Sequence, residues 1–269
     1  MLDLKVTFLG AGNMAEAIIK GILKDEFLCP HKIFVSDIRK ERIDYFSDRY
    51  KVNVFSDNVG AVKGADVVIL SIKPQVINQV IDGIRTTLNS NQIVISIAAG
   101  ISTKCIEDKI KKKIKVIRIM PNMPALIGQG ISAISLGKHV QEKEAKIAYE
   151  IFSAIGEVVN IEEKLMDAVT ALSGSGPAYV FAFIEALVDA GVELGISREI
   201  SFKLAVETVK GAVLTVLETG KHPVLLKEKV ASPGGTTISA LHILEEWGFR
   251  SSIISAVRTA AKRSLELSQ

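Results

Sequence analysis

Cysteine and histidine are scarce here: two cysteines, Cys29 and Cys105, and four histidines, His31, His139, His222 and His242, among 269 residues. The cysteines are too widely separated to suggest a disulfide framework, which fits a reducing compartment. Neither residue type recurs at metal-ligand spacing, and no histidine stands in a triad pattern, so no metal is expected. Charge of one sign is also lacking, since the net charge is only +3. A nucleic-acid binder needs a dense basic stripe. The one basic cluster, Lys111-Lys112-Lys113, reads as a solvated helix end. The opening "MLDLKVTFLGAG" has no basic region leading to an apolar run and a cleavage site. Charges break the apolar runs before they reach membrane-spanning length. A soluble cytoplasmic protein is expected, with neither a nucleic-acid nor a membrane partner.

What is abundant is apolar sequence, 48% of the chain, enough for one large core or two ordinary ones. "LKVTFL", "KIFVS", "KVNVF", "ADVVILSI", "QIVISIA", "KVIRIM", "GISAISL" and "GEVVNI" are β-branched runs. Amphipathic stretches, such as 13–25 and 39–49, separate them. Near-continuous apolar strands alternating with helices predict a doubly wound parallel sheet. After about Ile161 the strand pattern stops and helices follow, with ends marked by Gly195 and Gly220. The expected fold is an α/β Rossmann-type dinucleotide-binding domain over 1–161, then an all-α domain over 162–269. The helix over 178–194, "AYVFAFIEALVDAGVEL", is apolar nearly all round. A small helical domain can hardly cover it, so a partner subunit is a natural cover.

"GAGNMA" places Gly10, Gly12 and Ala15 in G-x-G-x-x-A spacing between a strand and a helix. Gly10 allows the tight turn, Gly12 lets the backbone approach a pyrophosphate, and Ala15 lets the helix pack close to the sheet. The helix start then presents amides and a positive dipole end to the anion. At the end of the second strand, "FVSDIRKER" offers Ser36, Asp37, Arg39 and Lys40. Asp37 stands where a carboxylate takes the ribose 2′-hydroxyl of NAD; Arg39 and Lys40 would suit the 2′-phosphate of NADP. The stretch leaves both open.

"ASPGGTT", 231–237, is a second device: Pro233, Gly234 and Gly235, then Thr236 and Thr237, with Ser232 before them and Ser239 after. It forms a pocket of uncharged donors at a helix start, suited to a carboxylate. An ordinary cap needs only one hydroxyl. The two devices read as two ends of one active site, one for a dinucleotide and one for a small carboxylate. "LSGSGPAYVF" is a further glycine-and-serine turn before a helix. "IMPNMPAL" sets two prolines around Asn122 after a strand, where the sheet's carboxyl edge forms the crevice.

These stretches, with "SIKP", "SIAAG", "HP" at His222-Pro223 and "GFR" from Gly248, resemble the pyrroline-5-carboxylate reductase family over nearly the whole chain. The resemblance implies reduction of 1-pyrroline-5-carboxylate to proline by NAD(P)H, with NADP(H) favoured and NAD(H) the competitor. It implies dinucleotide contacts at Gly10, Ala11, Gly12, Asn13 and Met14, at Asn58, at Lys73 and Pro74, and at Ala98, Ala99 and Gly100. It places the substrate carboxylate on Gly234, Gly235, Thr236 and Thr237 with Ser232 close by, and Thr237 near the ring nitrogen as the catalytic hydroxyl. It further implies an obligate homodimer of interlocked helices, and rings of dimers occur among relatives. Two positions depart from the family. Met123 replaces a frequent Thr, and Asp37 stands where many members have Ser, Thr or Pro, which argues against strict NADP use. Two other readings remain. A 3-hydroxyacid dehydrogenase needs a base lysine on the helix after the glycine turn, and 177–194 contains no lysine. A non-catalytic NAD(P)-sensing regulator would use "SPGGTT" only as a cap.

Overall fold

The computed structural model describes residues 3–267. Its strands are β1 (Val6–Leu9), β2 (Ile33–Ser36), β3 (Asn53–Phe55), β4 (Val67–Leu70), β5 (Ile93–Ser96), β6 (Lys115–Met120), β7 (Gly130–Leu136) and β8 (Gly156–Asn160). They form one sheet in the order β3-β2-β1-β4-β5-β6-β7-β8. Between them run α1 (Asn13–Lys24), α2 (Lys40–Tyr50), α3 (Asn58–Val62), α4 (Pro74–Ile84), α5 (Thr103–Ile110) and α6 (Glu142–Ser153). Each predicted strand run is a strand.

Side chains of the central strands alternate between two apolar layers. Phe8, Ile69 and Ile95 join Ile18, Ile22 and Phe152 of α1 and α6 on one face. Leu9, Leu70 and Val94 join Ile77, Ile81 and Ile106 of α4 and α5 on the other. Burial on both faces is why these strands are apolar throughout. The sheet departs from the all-parallel expectation at one place, since β6 and β7 pair antiparallel. Only residues 121–129 separate them, too few for the crossover that a parallel pair requires.

The remaining helices are α7 (Met166–Val169), α8 (Gly176–Glu193), α9 (Arg198–Thr219), α10 (Pro223–Val230), α11 (Thr236–Glu246) and α12 (Phe249–Leu267). The chain divides into two compact units. The first comprises the residues up to Ser175 together with those from Ala260 on, and the second is Gly176–Thr259. This division falls later than the 161/162 boundary expected from strand pattern. A polar network accounts for the difference. Glu163 accepts the N–H and hydroxyl of Thr103, each at 2.6 Å. The buried Arg118 guanidinium of β6 lies 3.7 Å from Glu163 and 3.9 Å from Asp167. Asp167 in turn accepts the Ser264 hydroxyl at 2.7 Å.

In the helical unit α8 and α9 pack closely, with Gly191 against Ser201 and Arg198 paired to Asp189 at 3.0 Å. Ser197 caps α9, accepting the Ile200 N–H at 3.4 Å, and Gly220 ends it at φ 60°. Few side chains of this unit are buried. Phe181 is 53% exposed, Leu217 71% and Trp247 81%. So much apolar surface marks an interaction face rather than an ordinary monomer exterior.

Candidate functional site

The expected dinucleotide residues lie together on one edge of the sheet. Gly10 to Met14 follow β1, Ser36 to Arg39 follow β2, Asn58 opens α3 after β3, Lys73 and Pro74 open α4 after β4, and Ala98 to Gly100 follow β5. These strands are parallel, so all five carboxyl ends share that edge. Gly10 is at φ 101°, and any side chain there would strike the Ser71 carbonyl. Its N–H donates to the Ser36 carbonyl at 2.8 Å. Ser71 ties the turn from β4, donating its hydroxyl to the Gly10 carbonyl at 2.7 Å.

Gly12 is different. Its backbone, at φ −80° and ψ 179°, suits any residue, and a side chain would meet nothing within 4 Å. Neither conformation nor packing requires a glycine there, and the space beside its backbone is open. Glu16 N–H to Gly12 C=O, at 3.0 Å, is the first hydrogen bond of α1, so the amides of Asn13, Met14 and Ala15 have no partner within the helix. Ala15 is fully buried against the sheet. The turn fits a pyrophosphate.

Ala11, between the glycines, is fully buried and held from both sides. Its N–H donates to Asp37 Oδ2 at 2.8 Å. Its carbonyl accepts from Arg42 Nε at 2.8 Å. Asp37 is therefore turned inward, with its side chain only 7% exposed. Four donors converge on its carboxylate: Ala11 N–H, Arg39 N–H at 2.9 Å, Arg39 Nε at 3.0 Å and Arg39 Nη2 at 3.1 Å. That fills the acceptor sites a carboxylate has. Burial pushes the Asp37 pKa up, but the hydrogen bonds from Arg39 and Ala11 outweigh it and hold the group below the ordinary carboxylate value. Arg39, at 51% exposed, is the outward-facing member of the pair. Ser36 is buried and donates its hydroxyl to Asn58 Oδ1 at 2.6 Å, so these two residues are linked to each other. Lys73 is exposed as the residue preceding α4, with Pro74 in the first turn. Gly100, at φ 76°, lies in the loop after β5, and Ala98 packs into the second core layer.

Sequence reasoning missed the group behind this turn. Glu16 of α1 accepts from Arg42 Nη2 at 2.8 Å, Tyr45 at 2.7 Å and Tyr50 at 2.9 Å. The Arg42 guanidinium also lies 5.0 Å from the Tyr45 ring centre and 5.2 Å from that of Phe46. The stretch read only as a charged helix, and nothing in its spacing announces contact with the glycine turn.

Two further motifs meet in the first unit. Residues 170–174 of "TALSGSGP" form a π-helical turn, and Ser175 N–H reaches the Thr170 carbonyl at 2.8 Å. Gly174 lies against Met120, where a side chain would come within 2.8 Å of Met120 Cε. Asn122 follows Met120 and Pro121, and accepts the Ile131 N–H at 2.9 Å. Met123 is 55% exposed. Such π-turns are frequent at functional sites.

In the helical unit, Gly235 caps α11 without any side-chain hydrogen bond. Thr236 and Thr237 are already inside the helix, so neither is the cap, and neither has a side-chain hydrogen bond to another described residue. Gly234 makes the preceding turn at φ 68°, closed by Gly235 N–H to Ser232 C=O at 3.1 Å. Ser232 Oγ stands where a Gly235 side chain would begin. An open groove of about 820 Å³ on this unit is lined by Ile238, Leu241, His242 and Ile243 among others, and by none of Gly235, Thr236 or Thr237. His222 begins α10, its Nδ1 accepting the Val224 N–H at 3.3 Å, with Pro223 in the first turn. Gly248, at φ 68°, turns the chain from α11 into α12. The "HP" and "GFR" motifs are thus a helix start and an interhelix turn.

Residues 163–267 match the family model for pyrroline-5-carboxylate reductase dimerisation. Residues 5–100 match a model described as NADP oxidoreductase, coenzyme F420-dependent. A pyrroline-5-carboxylate reductase of Arabidopsis thaliana is 46% identical over 266 residues, 98% of this chain and 96% of its own. That of Escherichia coli is 36% identical over the full length of both. The chain belongs to the pyrroline-5-carboxylate reductase family.

Solved members of this family agree with the fold over the whole chain. The structure from Coxiella burnetii is 35% identical with a TM-score of 0.93, covering all of both chains. That from Plasmodium falciparum, described with NADP bound, is 33% identical with a TM-score of 0.92. A Mycobacterium tuberculosis 3-hydroxyisobutyrate dehydrogenase is 16% identical with a TM-score of 0.51, a likeness of fold alone. The dimerisation model also bears on the apolar helix. Contrary to expectation, the helical stretch Glu163–Glu193 is long and apolar enough, by length and composition, to cross a membrane. A helix destined for a subunit interface has the same composition, and this stretch lies within the dimerisation region.

Proposed function

We infer that this chain reduces 1-pyrroline-5-carboxylate to L-proline with NAD(P)H, the last step of proline biosynthesis, as a cytoplasmic homodimer. The observation that carries this reading is the similarity to reductases of this name across the entire chain, at 36% to 46% identity. The unneeded glycine at position 12 and the start of α11, where no side chain takes the first amides, support it.

The amides of Gly12 to Met14 would hold the pyrophosphate, with Asn58, Lys73, Pro74 and Ala98 to Gly100 completing that edge. When bound, the nicotinamide supplies hydride. The amides of Thr236 and Thr237 would take the substrate carboxylate, with Ser232 and the Gly234-Gly235 turn shaping its approach. The Thr237 hydroxyl would donate to the ring nitrogen and fix which imine face is presented. The C=N bond gains a hydride at carbon and a proton at nitrogen. A cyclic imine protonates readily, so positioning and exclusion of water are the main tasks left to the protein. The sheet-bearing unit would hold the dinucleotide and the helical unit the substrate carboxylate.

For the cofactor we propose NADPH over NADH. Asp37 has no acceptor capacity left for ribose hydroxyls, whereas half-exposed Arg39 keeps donors free for a 2′-phosphate. Steady-state rates with NADPH and NADH in parallel test this. Equal kcat/KM for the two would reject the preference, and no turnover with either would favour a sensing role.

A further inference from the structure

We propose that Arg42 is a positioning residue that aims the Gly12 N–H at the dinucleotide pyrophosphate. This rests on the reading of the glycine turn as the dinucleotide site. The Ala11 carbonyl and the Gly12 N–H belong to one peptide group, and no described peptide is cis. In a planar trans peptide the C=O and the following N–H point in opposite directions. Arg42 Nε holds that carbonyl at 2.8 Å, so the Gly12 N–H is fixed facing away from Arg42. The space around Gly12 is open, and no hydrogen bond to another described residue engages its N–H.

Arg42 is itself held firmly. Its Nη2 donates to Glu16 at 2.8 Å, and Glu16 is fixed in turn by the hydroxyls of Tyr45 and Tyr50. Both charged side chains are about four-fifths buried, at 21% exposure each. From the other side Asp37 takes the Ala11 N–H at 2.8 Å. Two consecutive peptides of the turn are therefore oriented before any ligand arrives. Such preorganisation lowers the ordering cost of binding. A cation on the carbonyl also polarises the shared peptide and strengthens its N–H as a donor. The pyrophosphate is common to NADP and NAD, so Arg42 serves both equally. This separates it from Arg39, which would discriminate between them.

The test is the dissociation constants of NADP+ and NAD+, by calorimetric titration of the full-length protein, alongside thermal melting. Gly12→Val first checks the turn; normal binding there would remove the site reading and this inference with it. With that control in place, Arg42→Met is expected to weaken both dinucleotides by roughly tenfold, the size of one charge-assisted hydrogen bond. Their affinity ratio should stay constant. Arg42→Lys, which reaches the carbonyl or Glu16 but not both, should recover part of the loss. Glu16→Gln, which keeps the shape of the cluster, should weaken both by about threefold and guards against a poorly folded Arg42 variant. In assays the dinucleotide KM should rise more than kcat falls. Unchanged dissociation constants in folded Arg42→Met would overturn the proposal, as would a loss confined to NADP+.

Discussion

Replacing Arg39 by Gln tests the proposed cofactor preference by direction as well as size. The guanidinium is half exposed and paired through Nε and Nη2 to Asp37, leaving its other donors outward. Removal has two consequences of the same sign. It deletes an attraction to a 2′-phosphate, and it leaves the Asp37 charge without its partner cation. A unit pair at about 4 Å is worth about 1 kcal/mol in water and about 4 at an effective dielectric near 20. Half exposure and salt screening put Arg39 near the lower figure. Adding the unmasked repulsion gives about 1 to 2 kcal/mol, so the NADPH/NADH ratio of kcat/KM should fall roughly five- to thirtyfold. Asp37→Asn is the informative companion. It frees Arg39, which costs about 1 kcal/mol of preorganisation, but it also removes an anion, which returns a similar amount. The ratio should move much less than in Arg39→Gln. A ratio unchanged in Arg39→Gln would refute the assignment. A large gain for NADPH in Asp37→Asn would show that the carboxylate faces the phosphate after all.

Three other outcomes follow from the same geometry. Gly12→Val should abolish dinucleotide binding at an unchanged melting temperature, because its backbone suits valine and the side chain meets only open space; normal affinity would misplace the cofactor. Thr237→Ala should lower kcat/KM for the imine by about ten- to a hundredfold and leave stability within about 0.5 kcal/mol, since its hydroxyl makes no side-chain hydrogen bond in α11; a lower melting point with unchanged kinetics would return the residue to a structural role. Asp37, Glu16 and Glu144 all titrate below their ordinary values of 3.8, 4.5 and 4.5. A depressed folded-state pKa stabilises above the unfolded pKa and is lost as pH falls through the folded one. Urea midpoints should therefore be flat above about pH 5 and drop below pH 4, and a flat profile to pH 3 would contradict these pairings.

Much of the fold was legible because each element carries its own period. Eight β-branched runs became eight strands; in β1, β4 and β5 every residue is buried, which leaves no other composition open to them. The reversal at β7 was not foreseen, although the nine residues 121–129 leave no room for a crossover. Gly10 and Gly12 were legible as a turn, but only the folded backbone separates the glycine it needs from the one it does not. Asp37 was placed correctly at the end of β2, while its direction was not legible. That direction depends on Ala11 and Arg39 donating together to its two oxygens. Arg42 was invisible for the same reason: its partners Ala11 and Glu16 are distant in sequence and meet it only through the packing of α2 on α1. The apolar helix α8 was legible as needing cover. Its composition alone does not distinguish a subunit interface from a membrane.

Hydride transfer from NADPH to the imine carbon of 1-pyrroline-5-carboxylate is directly measurable. The most direct measurement supplies NADPH deuterated at nicotinamide C4, on the transferred face, and analyses the product by mass spectrometry. The account predicts L-proline carrying a single deuterium at the former imine carbon, formed in step with NADPH oxidation, and a rate lost in Gly12→Val. Tight binding of NADPH without labelled proline, or proline without deuterium, would contradict it.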